Sequence, residues 1–275
     1  MMSRTVRRFW STALAVALLR AAAFAGATTP TQPVAVRHSE GLVHGFLVLQ
    51  TLAGETLAHG DLTQVARGDR VTSQLVFHFK DGSLYDETAV YSQRGNFRLL
   101  SDHLIHKGPA FERPMDISIN VSLGRVTVRY TEDGKEKVST ERLNLPPDLA
   151  NGMTLTLLKN MRSGAPMTLS VLAVTPKLRV VKLAITAQGE ESFSVGESSR
   201  KATHYVVKVE MGGVNGLLAP LLGKEPPDIH VWILGGPAPA FLKAEGPLFY
   251  GGPIWRIELI SPVWPRTSVA ADAKH

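Results

Sequence analysis

The chain has 275 residues, of which 44% are hydrophobic and 20% charged, enough to bury one large core or two small ones. Its formal net charge is +6, and removing the four arginines of residues 1–25 leaves +2. That charge gives little support for nucleic-acid binding, which needs a dense basic patch. The chain has no cysteine, which excludes disulfides, thiolate metal sites and cysteine nucleophiles.

The N-terminus has the three parts of a secretory signal peptide. A positive region with Arg4, Arg7 and Arg8 precedes the apolar run Phe9–Leu19, and Ala23-Phe24-Ala25 has the small-x-small form that signal peptidase cleaves. The apolar run is shorter than the roughly 20 residues that span a bilayer as a helix. An uncleaved anchor or an ordinary N-terminal helix is the alternative. We expect cleavage before Gly26 and export to the periplasm or beyond.

The rest of the chain is predicted to hold one domain. We assign residues 1–25 to the signal peptide, 26–41 to a flexible Thr/Pro-rich leader, 42–262 to a single β-rich domain and 263–275 to a frayed tail. After residue 25 no apolar stretch is long enough to span a bilayer, so no transmembrane helix is expected in the mature chain.

Two Asp-Gly pairs separate runs of alternating polarity, a pattern typical of hairpins closed by two-residue turns. The first is Asp81-Gly82, between Leu75–Lys80 and Ser83–Ser92. The second is Asp133-Gly134, between Arg125–Thr131 and Lys135–Arg142.

Further strands are predicted in the second half of the chain, at Met167–Val174, Leu178–Thr186, His204–Met211, Ile229–Leu234 and Ile254–Ile260. Before them, Leu149–Met161 is predicted to be the one substantial helix, although Gly152 weakens it. The expected fold is mainly β, a curled antiparallel sheet or half-barrel wrapped on one central helix. The part of its concave face that the helix leaves uncovered would be an apolar groove.

This order of elements, with the strand Val231-Trp232-Ile233 and a final hairpin, resembles uncharacterised secreted bacterial domains with the half-open β-barrel of the periplasmic lipoprotein carriers (LolA/LolB-like). The resemblance covers Leu42–Ile260. It implies a concave apolar groove that holds an acyl chain, and it transfers no functional residue.

The clearest candidates for a polar site are His103 and His106, with Asp102 beside them. The segment Phe97–His106 is compatible with a helix, which would place both rings on one face, or with a strand, which would place them on opposite faces. We interpret both as surface histidines and expect no metal ion and no cofactor. The chain also lacks the Gly-x-Ser-x-Gly motif of α/β-hydrolases, so no catalytic residue is assigned.

Adjacent acidic residues occur as Asp86-Glu87, Glu132-Asp133 and Glu190-Glu191. A glycosidase needs two carboxyl groups that face one sugar across a cleft. Neighbours on a strand point to opposite faces, and the last two pairs lie in turn-like sequence. All three pairs are therefore interpreted as solvated.

The candidate ligand-binding residues are chosen because they are apolar. The walls or lid of a groove are predicted from the apolar segment 214–222 and from aromatic residues, with core packing as the alternative. The candidates are Leu217, Leu218, Leu221, Trp232, Phe241 and Trp255.

Three functions remain open. The first is non-enzymatic binding of a lipid or other apolar ligand by an exported envelope protein. The second is a structural or interaction module of the cell envelope, which docks a partner protein through a sheet edge or the segment 214–222. The third is a hydrolase of unfamiliar type that uses His103 or His78.

Overall fold

The computed structural model describes residues 33–132, 134–162, 164–174, 178–195, 198–210 and 226–260. Within these ranges the chain forms strands and one short helix, which confirms the mainly β prediction. The strands are β1 Val43–Thr51, β2 Thr56–Arg67, β3 Arg70–Phe79, β4 Leu84–Ser92, β5 Arg98–Lys107, β6 Met115–Asn120, β7 Arg125–Glu132, β8 Lys135–Arg142, β9 Met167–Val174, β10 Leu178–Val195, β11 Ser198–Glu210, β12 Ile229–Leu234, β13 Ala240–Pro247 and β14 Ile254–Ile260, and the helix is α1 Thr154–Lys159.

All of these strands belong to one antiparallel sheet. Strands β1 to β8 follow each other as a meander, strands β9 to β14 form a second meander, and β1 pairs with β14 to join the two. The two edges of the sheet are β8 and β9, so the sheet is not closed into a barrel. The observed fold is therefore the curled half-barrel around one helix that the sequence predicts.

The main core lies on the inner face of the sheet, where side chains from both meanders pack together with α1. Strand β12 shows how the two faces differ, because Val231 and Ile233 belong to the main core whereas Trp232 and Leu234 belong to a second, smaller cluster. Successive side chains of a strand point to opposite faces, so the second cluster lies on the outer face.

Helix α1 is shorter than the predicted Leu149–Met161 and begins only at Thr154. The residues before it have another role, because the N–H of Ala150 donates to the carbonyl of Ser170 on β9 at 2.8 Å. Leu149 forms a parallel bridge with Ser170. Gly152 then has a φ of +66°, which is incompatible with a right-handed helix. These residues cover the edge of β9 and so delay the start of the helix.

The first predicted hairpin is present as β3 and β4, but its loop is one residue longer than predicted. The N–H of Phe79 donates to the carbonyl of Ser83 at 2.9 Å, so three residues lie between them. The carboxylate of Asp81 accepts the N–H of Ser83 at 2.8 Å, and Gly82 has a φ of +84°. A three-residue loop with glycine in the left-handed region is the next most common hairpin connection. The second hairpin has the predicted two-residue connection, since Glu132 pairs with Lys135.

The strands predicted as Met167–Val174, Ile229–Leu234 and Ile254–Ile260 are present with these bounds. Strand β10, predicted to end at Thr186, continues past an irregularity in its register near Gly189. Glu190-Glu191 therefore lies within a strand and not in a turn, which corrects the sequence interpretation. Strand β13 was expected only as part of a final hairpin, without bounds.

Helix α1 is fixed to the inner face by a buried polar network as well as by Leu157 and Leu158. The amide of Gln64 on β2 donates to the hydroxyls of Tyr91 and of Thr156, each at 3.1 Å. None of the helices in the described ranges is long and apolar enough to cross a membrane.

Residues 34–40, which the sequence analysis assigns to the leader, make contacts with the domain. The side-chain oxygen of Asn160, at the end of α1, accepts the N–H groups of Arg37 and His38 at 2.8 Å each. The carboxylate of Glu40 forms an ion pair with Lys159 at 2.6 Å.

Candidate functional site

The structure separates the ligand-binding residues predicted from sequence. Leu217, Leu218 and Leu221 lie outside the described residues. Phe241 and Trp255 are buried in the main core. The Trp255 ring centroid is 5.6 Å from that of Phe79 and 6.0 Å from that of Phe249.

Trp232 lies on the outer face, away from Phe241 and Trp255. Its ring is stacked on His204 with a centroid distance of 4.4 Å and an interplanar angle of 3°, and the Nζ of Lys243 lies 3.9 Å from its centroid. These neighbours leave only 6% of Trp232 exposed. The three aromatic candidates therefore do not form one site.

The histidine pair is separated as well, because Phe97–His106 contributes the strand β5. His103 is on the outer face and its Nε2 lies 2.9 Å from a carboxylate oxygen of Asp116. His106 is buried on the inner face, which corrects its interpretation as a surface residue. His78, the other hydrolase candidate, is exposed on β3. In the described ranges no three or more His, Cys, Asp or Glu residues are grouped so that they could hold a metal ion.

His106 packs among aromatic rings at one end of the half-barrel. Its ring centroid lies 4.8 Å from that of Phe111 and 5.8 Å from that of Phe249, and its Nδ1 has no hydrogen-bond partner among the described residues. Burial disfavours the imidazolium and lowers the pKa of His106 to about 4. The folded protein therefore holds this ring neutral.

Replacing His106 with phenylalanine should protect the fold against mild acid. The unfolded chain takes up a proton near pH 6.5, while folded His106 remains neutral down to about pH 4. Its contribution is therefore complete above pH 6.5 and is lost as pH falls towards 4. Urea midpoints at pH 7 and pH 4.5 should fall less for His106→Phe than for the wild type. His78→Phe, at an exposed position, is the control, and equal falls in all three proteins would contradict this assignment.

A partly exposed row of side chains crosses the inner face between two buried rows. Leu62 pairs with Leu75, Leu75 with Glu87, and Glu87 with Leu104, so the four lie side by side on β2, β3, β4 and β5. Each of them retains some exposed surface. We call these four residues the inner strip. With strands about 4.8 Å apart, the strip is about 14 Å long.

The rows of side chains on either side of the inner strip are both buried, but different parts of the protein cover them. On one side of the inner strip, Gln64 and Ser73 lie under α1. On the other side, Phe77, Tyr85 and His106 are buried. His106 belongs to the aromatic cluster that it forms with Phe111 and Phe249. Since residues on one face of a strand repeat about every 7 Å, the inner strip lies between the helix and this cluster and is not fully covered by either.

Two carboxyl groups lie close together at the inner strip. Glu87 is on the inner strip, and Asp102 is its diagonal neighbour on β5, because Ala89 pairs with Asp102. The hydroxyl of Tyr85 donates to Oε2 of Glu87 at 3.1 Å. Asp102 is 4% exposed, and its Oδ1 has no hydrogen-bond partner among the described residues. We call Glu87 and Asp102 the carboxyl pair.

Gly152, in the turn before α1, makes room for this pair. A Cβ atom at Gly152 would lie 2.6 Å from Oδ1 of Asp102, 2.7 Å from the Cβ of Ala89 and 3.5 Å from the carboxyl carbon of Glu87. The backbone of the turn therefore closes directly over the pair, and only glycine permits this approach.

The electrostatics of the pair follow from burial. Desolvation raises the pKa of Glu87 and, together with the negative charge of Glu87, raises the pKa of Asp102 well above its usual range. Burial and the two acids also raise the pKa of Tyr85. No ion pair among the described residues involves either acid. The pair therefore retains protons at pH values where ordinary carboxyl groups have lost them.

The sequence interpretation of Glu87 as a solvated acid is wrong. Its sequence neighbour Asp86 lies on the outer face, and the acid with which Glu87 interacts is on the next strand. One signal was available in the sequence: β4 alternates Tyr85, Glu87, Ala89 and Tyr91 on its inner face, so one acid interrupts an otherwise uncharged face.

No family model matches the chain, and no curated protein matches it. Among solved structures it is similar to a beta-barrel-like protein of domain of unknown function DUF1849 from Brucella abortus. The identity is 10% and the TM-score 0.44, over 82% of this chain and 100% of that chain.

Proposed function

We propose that the protein is an exported, non-enzymatic binding protein that holds a lipid or another apolar ligand against the inner strip. The observation that carries the proposal is the partial exposure of Leu62, Leu75 and Leu104 between two buried rows of the inner face. Inward-facing leucines that keep solvent contact between two covered rows form a site that an alkyl chain would complete. Export is proposed from the three-part N-terminus.

The chemistry of the inner strip favours an apolar ligand. Three of its four members are leucines. The fourth, Glu87, has a raised pKa because of burial and therefore adds less charge than an ordinary carboxylate would. Covering partly exposed leucines removes apolar surface from water, which stabilises the complex by roughly 25 cal/mol for each Å² covered. A groove for an acyl chain is also what the resemblance to the lipoprotein carriers implies.

Dodecanol tests this proposal because it has an alkyl chain and no charge. We expect saturable binding by isothermal titration calorimetry, with a negative change in heat capacity because apolar surface is buried. Leu104→Asn should weaken binding about tenfold, because it places an unpaired amide against the alkyl chain.

Leu100→Asn is the matched control. Leu100 lies on the same strand, but it is 37% exposed and is not a member of the inner strip. This variant should bind dodecanol like the wild type. Equal weakening by both substitutions, or no binding by the wild type, would contradict the proposal.

A second role, docking of an envelope protein, is favoured by the free edge of the sheet. Strand β8 is the outermost strand of its meander, and every residue except Ser139 is exposed. Its lysine and glutamate residues are of the kind that protect edge strands from non-specific pairing. A strand-pairing partner would therefore need complementary charges, which ranks this role below ligand binding.

A further inference from the structure

We propose that residues 262–266 of the chain itself cover a depression on the outer face of the sheet, with the indole of Trp264 packed between Phe46 and His78. The inference goes beyond ligand binding, because it concerns the face opposite to the inner strip. It depends on three observations: a partly apolar depression on the surface, the position of Ile260 in its wall, and the residue types that follow Ile260. Residues 263–266 would then be part of the domain and not of a frayed tail.

The depression lies over β1, β2 and β3 and has a volume of about 310 Å³. Its walls include Phe46, His59, Asp61, His78 and Ile260. Phe46 pairs with Ile260, and His59 pairs with His78, so each pair stands side by side on one face. This is the outer face, since the residues next to them along β1, β2 and β3 belong to the main core. Phe46 is 41% exposed and Ile260 is 37% exposed, so covering them would remove apolar surface from water.

The outer face already holds one tryptophan against a pair of histidines. Trp232 is stacked on His204, and its ring centroid lies 6.1 Å from that of His230 on its own strand. His59 and His78 are a second pair of histidines on neighbouring strands, and both are exposed. Among the described residues no aromatic ring is stacked on either of them. The depression therefore offers an indole the kind of surface on which Trp232 packs.

The chain leaves the described part of the structure at this depression. Ile260 ends β14 and forms one wall, and residues 261–275 lie outside the described residues. Trp264 is four residues beyond Ile260, and four extended residues span at most about 14 Å. Three strand spacings, from β14 to β3, also measure about 14 Å. Trp264 can therefore reach every part of the depression.

The residues after Ile260 suit a short segment that crosses the strands. Pro262 has no N–H with which to continue the pairing of β14 with β1, so it directs the chain out of the sheet. Pro262 and Pro265 also restrict the residues before them to extended conformations, which reduces the entropy lost on docking. Arg266 follows Trp264 by two residues, and Asp61 supplies a negative charge at the wall.

The small size of the depression favours a tethered segment over a separate partner. Seven residues line it, whereas a stable interface between two proteins takes about 20–30 residues on each side. A segment joined to Ile260 does not need so large an interface, because the short connection keeps it at a high effective concentration. The chain itself is therefore the occupant that this surface fits best.

Acrylamide quenching of Trp264 in the mature protein tests the inference. The emission of Trp264 is the difference between the wild type and Trp264→Phe, which leaves the buried tryptophans in place. Because a pocket covers about 70–90% of the surface of its occupant, the quenching constant should be at least about threefold below that of the free peptide 261–275. Phe46→Ser should restore the value of the free peptide. Val138→Ser removes a side chain that is 58% exposed on β8, and this control should leave the quenching unchanged.

Histidine NMR signals give a second measurement that does not depend on the folding of Phe46→Ser. An indole shifts the resonances of atoms that lie over its face. Trp264→Ala in the full mature chain should therefore move the ring signals of His59 and His78. His103, which is exposed on β5 outside the depression, is the internal control and should not move.

The expected result is protection of Trp264 that Phe46→Ser abolishes, together with shifts of the His59 and His78 signals. The inference is overturned if Trp264 is quenched like the free peptide, if it stays protected in Phe46→Ser, or if neither histidine signal moves. Protection that disappears on dilution would show that a second copy of the chain supplies the tryptophan, and it would overturn docking within one chain. None of these outcomes depends on whether the inner strip binds a ligand.

Discussion

Replacing Gly152 with alanine should lower the free energy of unfolding by about 3 kcal/mol. Two penalties combine at this position. A φ of +66° is unfavourable for any residue that has a Cβ atom. The added atom would also lie 2.7 Å from the Cβ of Ala89, which β4 holds in place, and 2.6 Å from Oδ1 of Asp102. The turn before α1 would have to move away from the carboxyl pair. Urea denaturation at pH 7 measures the change.

Gly95→Ala separates the two penalties. Gly95 has nearly the same φ, +68°, but a Cβ atom there meets nothing within 4 Å. Its replacement should therefore lower the free energy of unfolding by only about 1 kcal/mol, the contribution of the backbone alone. Equal losses in the two variants would show that Gly152 is not crowded by the pair, and the described closure of the turn over Asp102 would be wrong.

Replacing Asp102 with asparagine should change stability more favourably as pH rises. Folded Asp102 holds its proton at pH values where the unfolded chain, with a pKa near 3.9, has released it. The folded state therefore binds more protons, and wild-type stability falls as pH rises from about 4 towards the raised pKa. The asparagine variant lacks this titration, so its stability relative to the wild type should increase as pH rises. The difference changes by at most about 1.4 kcal/mol per pH unit for one proton.

Urea midpoints of wild type and Asp102→Asn between pH 4 and pH 9 test this expectation. Asp86→Asn, on the outer face of β4, controls for the effect of the amide itself. His106 is present in all three proteins, so its acid-dependent contribution cancels in the differences. A difference between wild type and Asp102→Asn that is constant over this range would contradict the raised pKa of Asp102.

The fold was predictable where short runs of apolar and β-branched residues lie between turn residues. Met167–Val174, Ile229–Leu234 and Ile254–Ile260 are strands with the predicted bounds, because Gly or Pro residues flank each run. The predicted helix was too long because Leu149 and Ala150, which look like helix residues, instead contact the edge of β9. That contact joins segments about twenty residues apart, which no local pattern reveals.

The candidate site was less predictable because its members meet through strand register. Glu87 and Asp102 are separated by the whole connection between β4 and β5, and the register of that pairing makes them neighbours. A shift by one residue would place Asp102 on the outer face. The inner strip is likewise defined by partial exposure, which depends on where α1 and the aromatic cluster end.

Native mass spectrometry before and after organic extraction tests the central claim, that the protein carries an apolar ligand on the inner strip. The mature protein from Gly26 onward would be purified from a periplasmic extract alongside Leu104→Asn and Leu100→Asn. We predict a mass excess on the wild type and on Leu100→Asn that extraction removes, and a smaller or absent excess on Leu104→Asn. A monomer mass without excess in all three proteins, together with no uptake of dodecanol, would contradict the claim and favour docking through the free edge of β8.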